Sequence, residues 1–429
     1  MSQSACQPTR QPIHHSPAIR HLKDGHICSP QGFSADGAAA GFRPAKPECL
    51  DLAVLYSQQT AHAAGVFTRN LFCAAPVTVT RDSLHKESKL QALLCNSGQA
   101  NAGTGEEGLK ISLWKQQILQ QKLRLGQPHY AAVMSTGVIG VLPDKDKIAA
   151  GLEKIKLGSD AHSARRFSQA ILTTDTCTKT SAYRLEIDGK PVTLAGSAKG
   201  SGMIHPNMAT MLAFITTDAS VEPLFLQELL RSSVERSFNR ISVDGDTSTN
   251  DTVLILANGL AGNREINRNH PDWKDFRQAL EMLCQDLAKA IIRDGEGATK
   301  FIEVEVISAP TEQDAALCAR HVVSSNLFKT AMYGEDINWG RIACAVGNSG
   351  AKISTERLSI TLGREDDPDA ICVLDSNNPR SFSEETAARL LSRPEIYIRI
   401  NLHQGLSHAN AWGNDLSLDY VKINAHKRS

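Results

Sequence analysis

One pattern confines this chain more than any other: apolar runs of strand length take turns with amphipathic stretches of helical period. Thr252-Val-Leu-Ile-Leu-Ala257 offers no polar face and reads as a strand buried on both sides. Phe276, Leu280, Leu283, Leu287 and Ile291 then form one helical stripe, stopped at Gly295. Phe301 to Ile307 alternates, with Ile302, Val304 and Val306 opposite Glu303 and Glu305. Earlier in the chain, Ile111, Trp114 and Ile118 recur at helical spacing ahead of a strand at Ala131-Ala-Val-Met134. Alternation of this kind predicts an α/β fold. The stretch Arg364 to Arg380, with Pro368, Pro379 and several Asp and Asn, reads as a surface loop. Ile171-Leu-Thr-Thr-Asp-Thr176 echoes Phe214-Ile-Thr-Thr-Asp-Ala219, either as two related strand ends or by coincidence.

A length of 429 residues suggests two or three domains, or one large α/β unit with an insertion. The 46 Lys and Arg are balanced by 46 Asp and Glu, so no basic excess favours nucleic acid or an anionic membrane. The ten cysteines form no C-x-x-C pair, which argues for reduced thiols in a cytoplasmic protein and against a zinc site or a disulfide framework. Residues Met1 to Lys23 contain no acid, but Pro8, Pro12 and Pro17 break any amphipathic helix, so the segment reads as a ragged N-terminus and not as a targeting peptide.

Three glycine- or acid-rich segments invite a ligand and each falls short. Gly103-Thr-Gly-Glu-Glu-Gly108 matches G-x-G-x-x-G, yet no acid lies between Glu107 and Asp144 to hold a ribose, and two glutamates inside the loop would repel a pyrophosphate. In Gly196-Ser-Ala-Lys-Gly-Ser-Gly202 the lysine precedes its glycine, so the phosphate-loop spacing fails. Asp244-Gly-Asp-Thr-Ser-Thr-Asn-Asp251 lacks the alternating ligands and distal glutamate of a calcium loop, and turn chemistry explains it equally well; no metal is expected. A different signal comes from Lys199-Gly-Ser-Gly-Met-Ile-His-Pro-Asn-Met-Ala-Thr-Met-Leu212, where Thr210 stands between a small-residue loop and an apolar run. A threonine there becomes a nucleophile if its own α-amine is the base, and that requires a cut before it.

This segment closely resembles the processing site of the ornithine acetyltransferase family, the glutamate N-acetyltransferases of arginine biosynthesis. Further segments agree in order: Asn96-Ser-Gly-Gln-Ala-Asn-Ala-Gly-Thr-Gly105, Ser135-Thr-Gly-Val-Ile-Gly140, Thr173-Thr-Asp-Thr176, Ser242-Val-Asp-Gly-Asp-Thr-Ser-Thr-Asn-Asp251, Arg293-Asp-Gly-Glu-Gly-Ala-Thr-Lys300 and Gly334-Glu-Asp-Ile-Asn-Trp-Gly-Arg-Ile342. The match runs from about Gly32 onward.

The resemblance implies a layered α-β-β-α-like sandwich of N-terminal-nucleophile type with a second, smaller α/β domain. It implies self-cleavage between Ala209 and Thr210. Residues 1–20 would then be a flexible N-terminus, 21–209 the α chain, and 210–429 the β chain whose C-terminal part contributes the smaller domain. Thr210 would carry acetyl from N²-acetyl-L-ornithine to L-glutamate by a ping-pong route, with Thr136 and Gly137 stabilising the oxyanion. Substrate contacts carried over by motif are Thr173 (with Thr174 one position away), Lys199, Thr210, Glu296, Asn424 and Ser429. The chain ends in serine where the family usually has threonine, which keeps the hydroxyl and the terminal carboxylate. No cofactor is implied, although some members also use acetyl-CoA as a donor. The family habit is an α2β2 heterotetramer in the cytoplasm. The rival activity on such a scaffold is an N-terminal-nucleophile aminopeptidase or amidase, which passes the acyl group to water.

Overall fold

The computed structural model describes residues 19–43, 47–205 and 211–426. In its first part run β1 (Arg20–His21), β2 (Phe33–Ala38), β3 (Leu52–Phe67), α1 (Ala75–Lys86), β4 (Lys89–Gln99), α2 (Gly105–Leu123), β5 (Ala131–Val138), α3 (Lys145–Lys154) and α4 (Ala161–Ala170). There follow β6 (Lys179–Ile187), β7 (Lys190–Lys199), β8 (Leu212–Thr217), α5 (Pro223–Glu235), β9 (Ile241–Ser242), β10 (Thr252–Ala257) and α6 (Trp273–Arg293). The remainder holds β11 (Phe301–Ala309), α7 (Glu312–Ser324), α8 (Asn326–Tyr333), α9 (Trp339–Gly347), β12 (Ser359–Leu362), β13 (Ile371–Asp375), β14 (Asn378–Pro379), α10 (Glu384–Leu391), β15 (Glu395–Asn401), β16 (Ser407–Asn414) and α11 (Leu418–His426).

Nine strands form one sheet in the order β1-β6-β7-β8-β10-β3-β4-β5, with β2 added on β3. The sheet folds over at β3. Residues 52–57 of that strand lie between β2 and β4, whereas residues 62–67 pair with β10, and the register against β4 shifts between Tyr56 and Ala61. Period-2 alternation then sorts the side chains of each half. Leu55, Leu93, Cys95 and Met134 from one half meet Leu212, Phe214, Leu254 and Leu256 from the other, forming an inner layer. Phe167 of α4 closes this layer edge-to-face on Phe214, with ring centres 5.5 Å apart. On one outer face Leu52, Val54 and Leu94 pack against Ile111 and Leu119 of α2 and Ile148 of α3. On the other, Ile215, Val253 and Ile255 pack against Leu226 and Leu230 of α5 and Leu280, Leu283 and Leu287 of α6. The order helix, sheet, sheet, helix is the layered α-β-β-α arrangement expected from sequence.

A second sheet, β14-β13-β12-β15-β11-β16-β9, buries Ile302, Val304 and Val306 against Val322, Phe328 and Met332 of α7 and α8. The strand at 252–257 and the stripe of α6 sit where the sequence puts them, with every residue of each fully or almost fully buried. Two expectations need correction. Residues 364–380 are not only loop, since β13 and β14 form a hairpin there and Ile371, Val373 and Leu374 are buried. The echo of 171–176 and 214–219 is coincidence of composition, because the first is a loop and only the second belongs to a strand, β8. β1 begins at Arg20, paired with Arg184 of β6, while residues 1–18 lie outside the described part. Among the described residues, no helix is long and apolar enough to cross a membrane.

Candidate active site

β7 and β8 are antiparallel neighbours, and Lys199 at the end of β7 is opposite Leu212 at the start of β8. The intervening connection contains the Ala209–Thr210 bond, and residues 206–210 lie outside the described part, as does Ser429. Both flanks are held by side chains of the acidic run 244–251. Asp244 accepts the N–H groups of Met203 (2.5 Å) and Ile204 (2.8 Å). Asp251 accepts the Met211 N–H at 2.8 Å. These aspartates therefore hold residues 203, 204 and 211, as Asx chemistry allows.

Around Lys199 a buried polar cluster gathers. Lys199 is 2% exposed, and its Nζ donates to Thr173 Oγ1 at 2.8 Å and, more distantly, to Thr136 Oγ1 at 3.4 Å. No hydrogen bond reaches Thr174 among the described residues, so of the two adjacent threonines it is Thr173 that faces the lysine. Thr136 and Gly137 lie just before the end of β5, where its pairing with β4 is irregular at Gly98 and Gln99. Gly137 has φ +127°, and a Cβ there would lie 2.3 Å from the Gly98 carbonyl carbon, so a side chain is excluded by backbone. Asn250 fixes the same strand end by donating to the carbonyls of Ala100 (2.7 Å) and Ser135 (2.8 Å).

Sequence reasoning did not identify Asp175, which organises the cluster. Its Oδ1 accepts Lys179 Nζ and the Gly200 N–H, both at 2.7 Å; its Oδ2 accepts the Thr173 N–H at 3.0 Å and lies 3.8 Å from Lys199 Nζ. Burial alone would raise this carboxyl's pKa, but Lys199 and Lys179 overcome it and hold it well below the usual range. Burial lowers the pKa of Lys199, with Asp175 opposing. Lys179 reaches on to Asp294 at 2.5 Å, just past α6. Ser201 Oγ donates to the Asp294 carbonyl at 2.7 Å, and the Glu296 N–H donates to the Ser201 carbonyl at 2.9 Å. Glu296 thus meets the turn that follows Lys199: a Cβ on Gly202 would fall 2.5 Å from its carboxylate. Asn424 of α11 donates to Glu296 Oε2 at 2.9 Å.

The structure therefore joins Thr136, Gly137, Thr173 and Lys199 at one pole, and Glu296 with Asn424 at the other, with the residue 200–202 turn between them. Elsewhere Asp188, His270 and Asp272 bring ligand-type atoms together, but Asp188 is already paired with Arg264 and His270. Lys199 offers a cation, Glu296 an anion and Thr136 a hydroxyl beside a strand-end glycine, groups suited to holding a small zwitterionic molecule. The chain belongs to the ArgJ family, which it matches over residues 34–429. It is 49% identical over 411 residues to the arginine biosynthesis bifunctional protein ArgJ of Geobacillus kaustophilus (strain HTA426), covering 96% of this chain and 98% of that one. The protein of the same description from Bacillus subtilis (strain 168) is 48% identical over 405 residues, covering 94% and 97%. A solved structure of ornithine acetyltransferase complexed with ornithine, from Mycobacterium tuberculosis, aligns at 32% identity over 44% of this chain and 98% of that one, with a TM-score of 0.40.

Proposed function

We propose that this chain is an acetyltransferase of arginine biosynthesis that moves acetyl from N²-acetyl-L-ornithine to L-glutamate in the cytoplasm, through an acetyl-Thr210 intermediate. It first cuts itself. The Thr210 hydroxyl attacks the Ala209 carbonyl, the amide becomes an ester, and water opens it to leave chains 1–209 and 210–429. The freed α-amine, with a reference pKa of about 7.7–8.0, is suited to act as the base for its own hydroxyl.

In transfer, Thr210 takes acetyl from the donor, ornithine leaves, and glutamate receives the group. Each half passes through an oxyanion that Thr136 and the Gly137 backbone stabilise. Lys199 Nζ donates to Thr136 Oγ1, which leaves the Thr136 hydroxyl hydrogen for the oxyanion. Lys199 and Thr173 suit the α-carboxylate shared by both substrates, and Glu296 with Asn424 suits an amino group. Ser429 adds a hydroxyl. Acetyl-CoA serves as an additional donor, and the chains assemble as α2β2.

The observation that carries this reading is the buried Lys199, in contact with both Thr136 and Thr173, on the strand that precedes the Ala209–Thr210 bond. The test is to incubate purified protein with N²-acetyl-L-ornithine, with and without L-glutamate. Continuous ornithine release only when glutamate is present supports transfer. Sustained release without glutamate means water is the acceptor, as in an amidase, and defeats it.

A further inference from the structure

Acyl transfer as set out above leaves one buried cation without a task. Lys115 lies midway along α2 and is 0% exposed. Its Nζ donates to Asn96 Oδ1 of β4 and, at 3.0 Å, to Ser135 Oγ of β5. Ser135 Oγ in turn donates to the same Asn96 oxygen at 2.7 Å, while Asn96 Nδ2 donates to the Gln99 carbonyl at 3.0 Å. The amide is thereby fixed with its oxygen towards the lysine. Among the described residues no carboxylate pairs with Lys115; the ionisable group that senses it is the Cys95 thiol, which burial pushes up to about 12 and so keeps neutral. Burial lowers the ammonium itself to about 8, which leaves it charged at neutral pH.

A buried charge with no opposite charge beside it costs stability. The polar groups around it would be satisfied without it, because Ser135 already donates to Asn96 Oδ1. Stability therefore does not account for the lysine, but its place does. Side chains alternate along β5, so Ser135 faces α2 while Thr136 faces Lys199 on the other side. Gln99, whose carbonyl Asn96 holds, pairs with Thr136 and Val138. The cation thus lies behind the short segment of strand that bears Thr136 and Gly137.

We propose that Lys115 is a positioning residue of the oxyanion step: its charge, fixed by Asn96 and Ser135 behind β5, favours the negative charge that develops in front of Thr136 and Gly137. A fixed charge in a dry interior acts more strongly than the same charge in water. Lys115 touches no substrate and acts through the strand between. This inference rests on Thr136 and Gly137 being the oxyanion groups.

The experiment measures acetyl transfer from N²-acetyl-L-ornithine to L-glutamate in the steady state, with melting curves, for the parent, Lys115→Met, Lys115→Gln and Thr136→Val. Methionine keeps the stem and removes the charge; glutamine removes the charge and keeps a donor for Asn96 and Ser135. Expected in both is kcat lower by about tenfold or more, with KM for either substrate within about twofold of the parent. The melting temperature should equal or exceed the parent's, because an uncompensated buried charge has gone. Parent kcat in both variants, or a loss confined to KM, overturns the proposal. So does a lower melting temperature or failure to fold in both, which would mark Lys115 as a brace. Thr136→Val at the parent kcat would instead defeat the oxyanion reading itself, which separates the two failures.

Discussion

At the scale of single residues, the site is governed by how buried Lys199 is paired. Burial lowers its pKa, and the anion that opposes this is Asp175, itself satisfied by Lys179, the Gly200 N–H and the Thr173 N–H. Replacing Lys199 by methionine keeps the apolar stem and removes the cation. The loss of charged hydrogen bonds worth about 1.5–3 kcal/mol predicts KM for both amino acids up by ten- to a hundredfold, with a smaller change in kcat, read from steady-state kinetics. Asp175→Asn leaves buried Lys199 without its carboxylate and Lys179 with Asp294 alone, and breaking a buried pair costs about 3–5 kcal/mol. The folded pKa of Asp175 is depressed, so its stabilisation is complete above the unfolded value of about 3.9 and is lost as pH falls below it. Melting curves should therefore show a large gap between parent and variant at neutral pH that narrows as the pH drops below about 4. Neither aspartate role was legible in the sequence. Asp175 sits in a Thr-rich run whose partners lie at residues 179, 199 and 200, and Asp251 matters through a contact 40 residues away. Lys199 and Glu296 were legible only through their neighbours, because a lone lysine or glutamate reads as a solvated charge.

At the scale of elements, the proposed oxyanion groups Thr136 and Gly137 sit near the end of a strand. β5 stops at an irregularity against β4, and the glycine there is forced by the approach of Gly98. Thr136 is set so that its oxygen accepts from Lys199 and its hydrogen is left to donate. Thr136→Val keeps the shape and deletes that donor. The expected result is a fall in kcat of about 10²–10³, with KM and melting temperature little changed. Strands and helices that bury a continuous apolar face, such as β10 and α6, were readable because periodicity is a local property. The β13–β14 hairpin was not, since prolines, Asp and Asn dominate its composition and only a few residues, Ile371, Val373 and Leu374 among them, supply the buried side. The fold-over of the sheet at β3 was equally hidden, because it depends on which partner each half of one long strand chooses.

At the scale of the whole molecule, the proposed cut falls between two strands that are hydrogen-bonded to each other. β7 pairs with β8 from Leu194–Thr217 to Lys199–Leu212, and β3 pairs with β10 across the same divide. The inner layer draws Leu55, Leu93 and Met134 from before the cut and Phe214, Leu254 and Leu256 from after it. Breaking the one peptide bond between residues 209 and 210 removes none of these contacts. The two chains should therefore co-elute in size-exclusion chromatography under native conditions and separate only in denaturant.

The most direct test is mass spectrometry of enzyme mixed with N²-acetyl-L-ornithine, without glutamate, and quenched in acid. Expected is a second chain that starts at Thr210 and bears one acetyl group on that residue, which disappears when L-glutamate is added before the quench. An active enzyme that runs unbroken through Ala209–Thr210, or one acetylated at a different residue, would show that Thr210 is not the group that carries the acetyl.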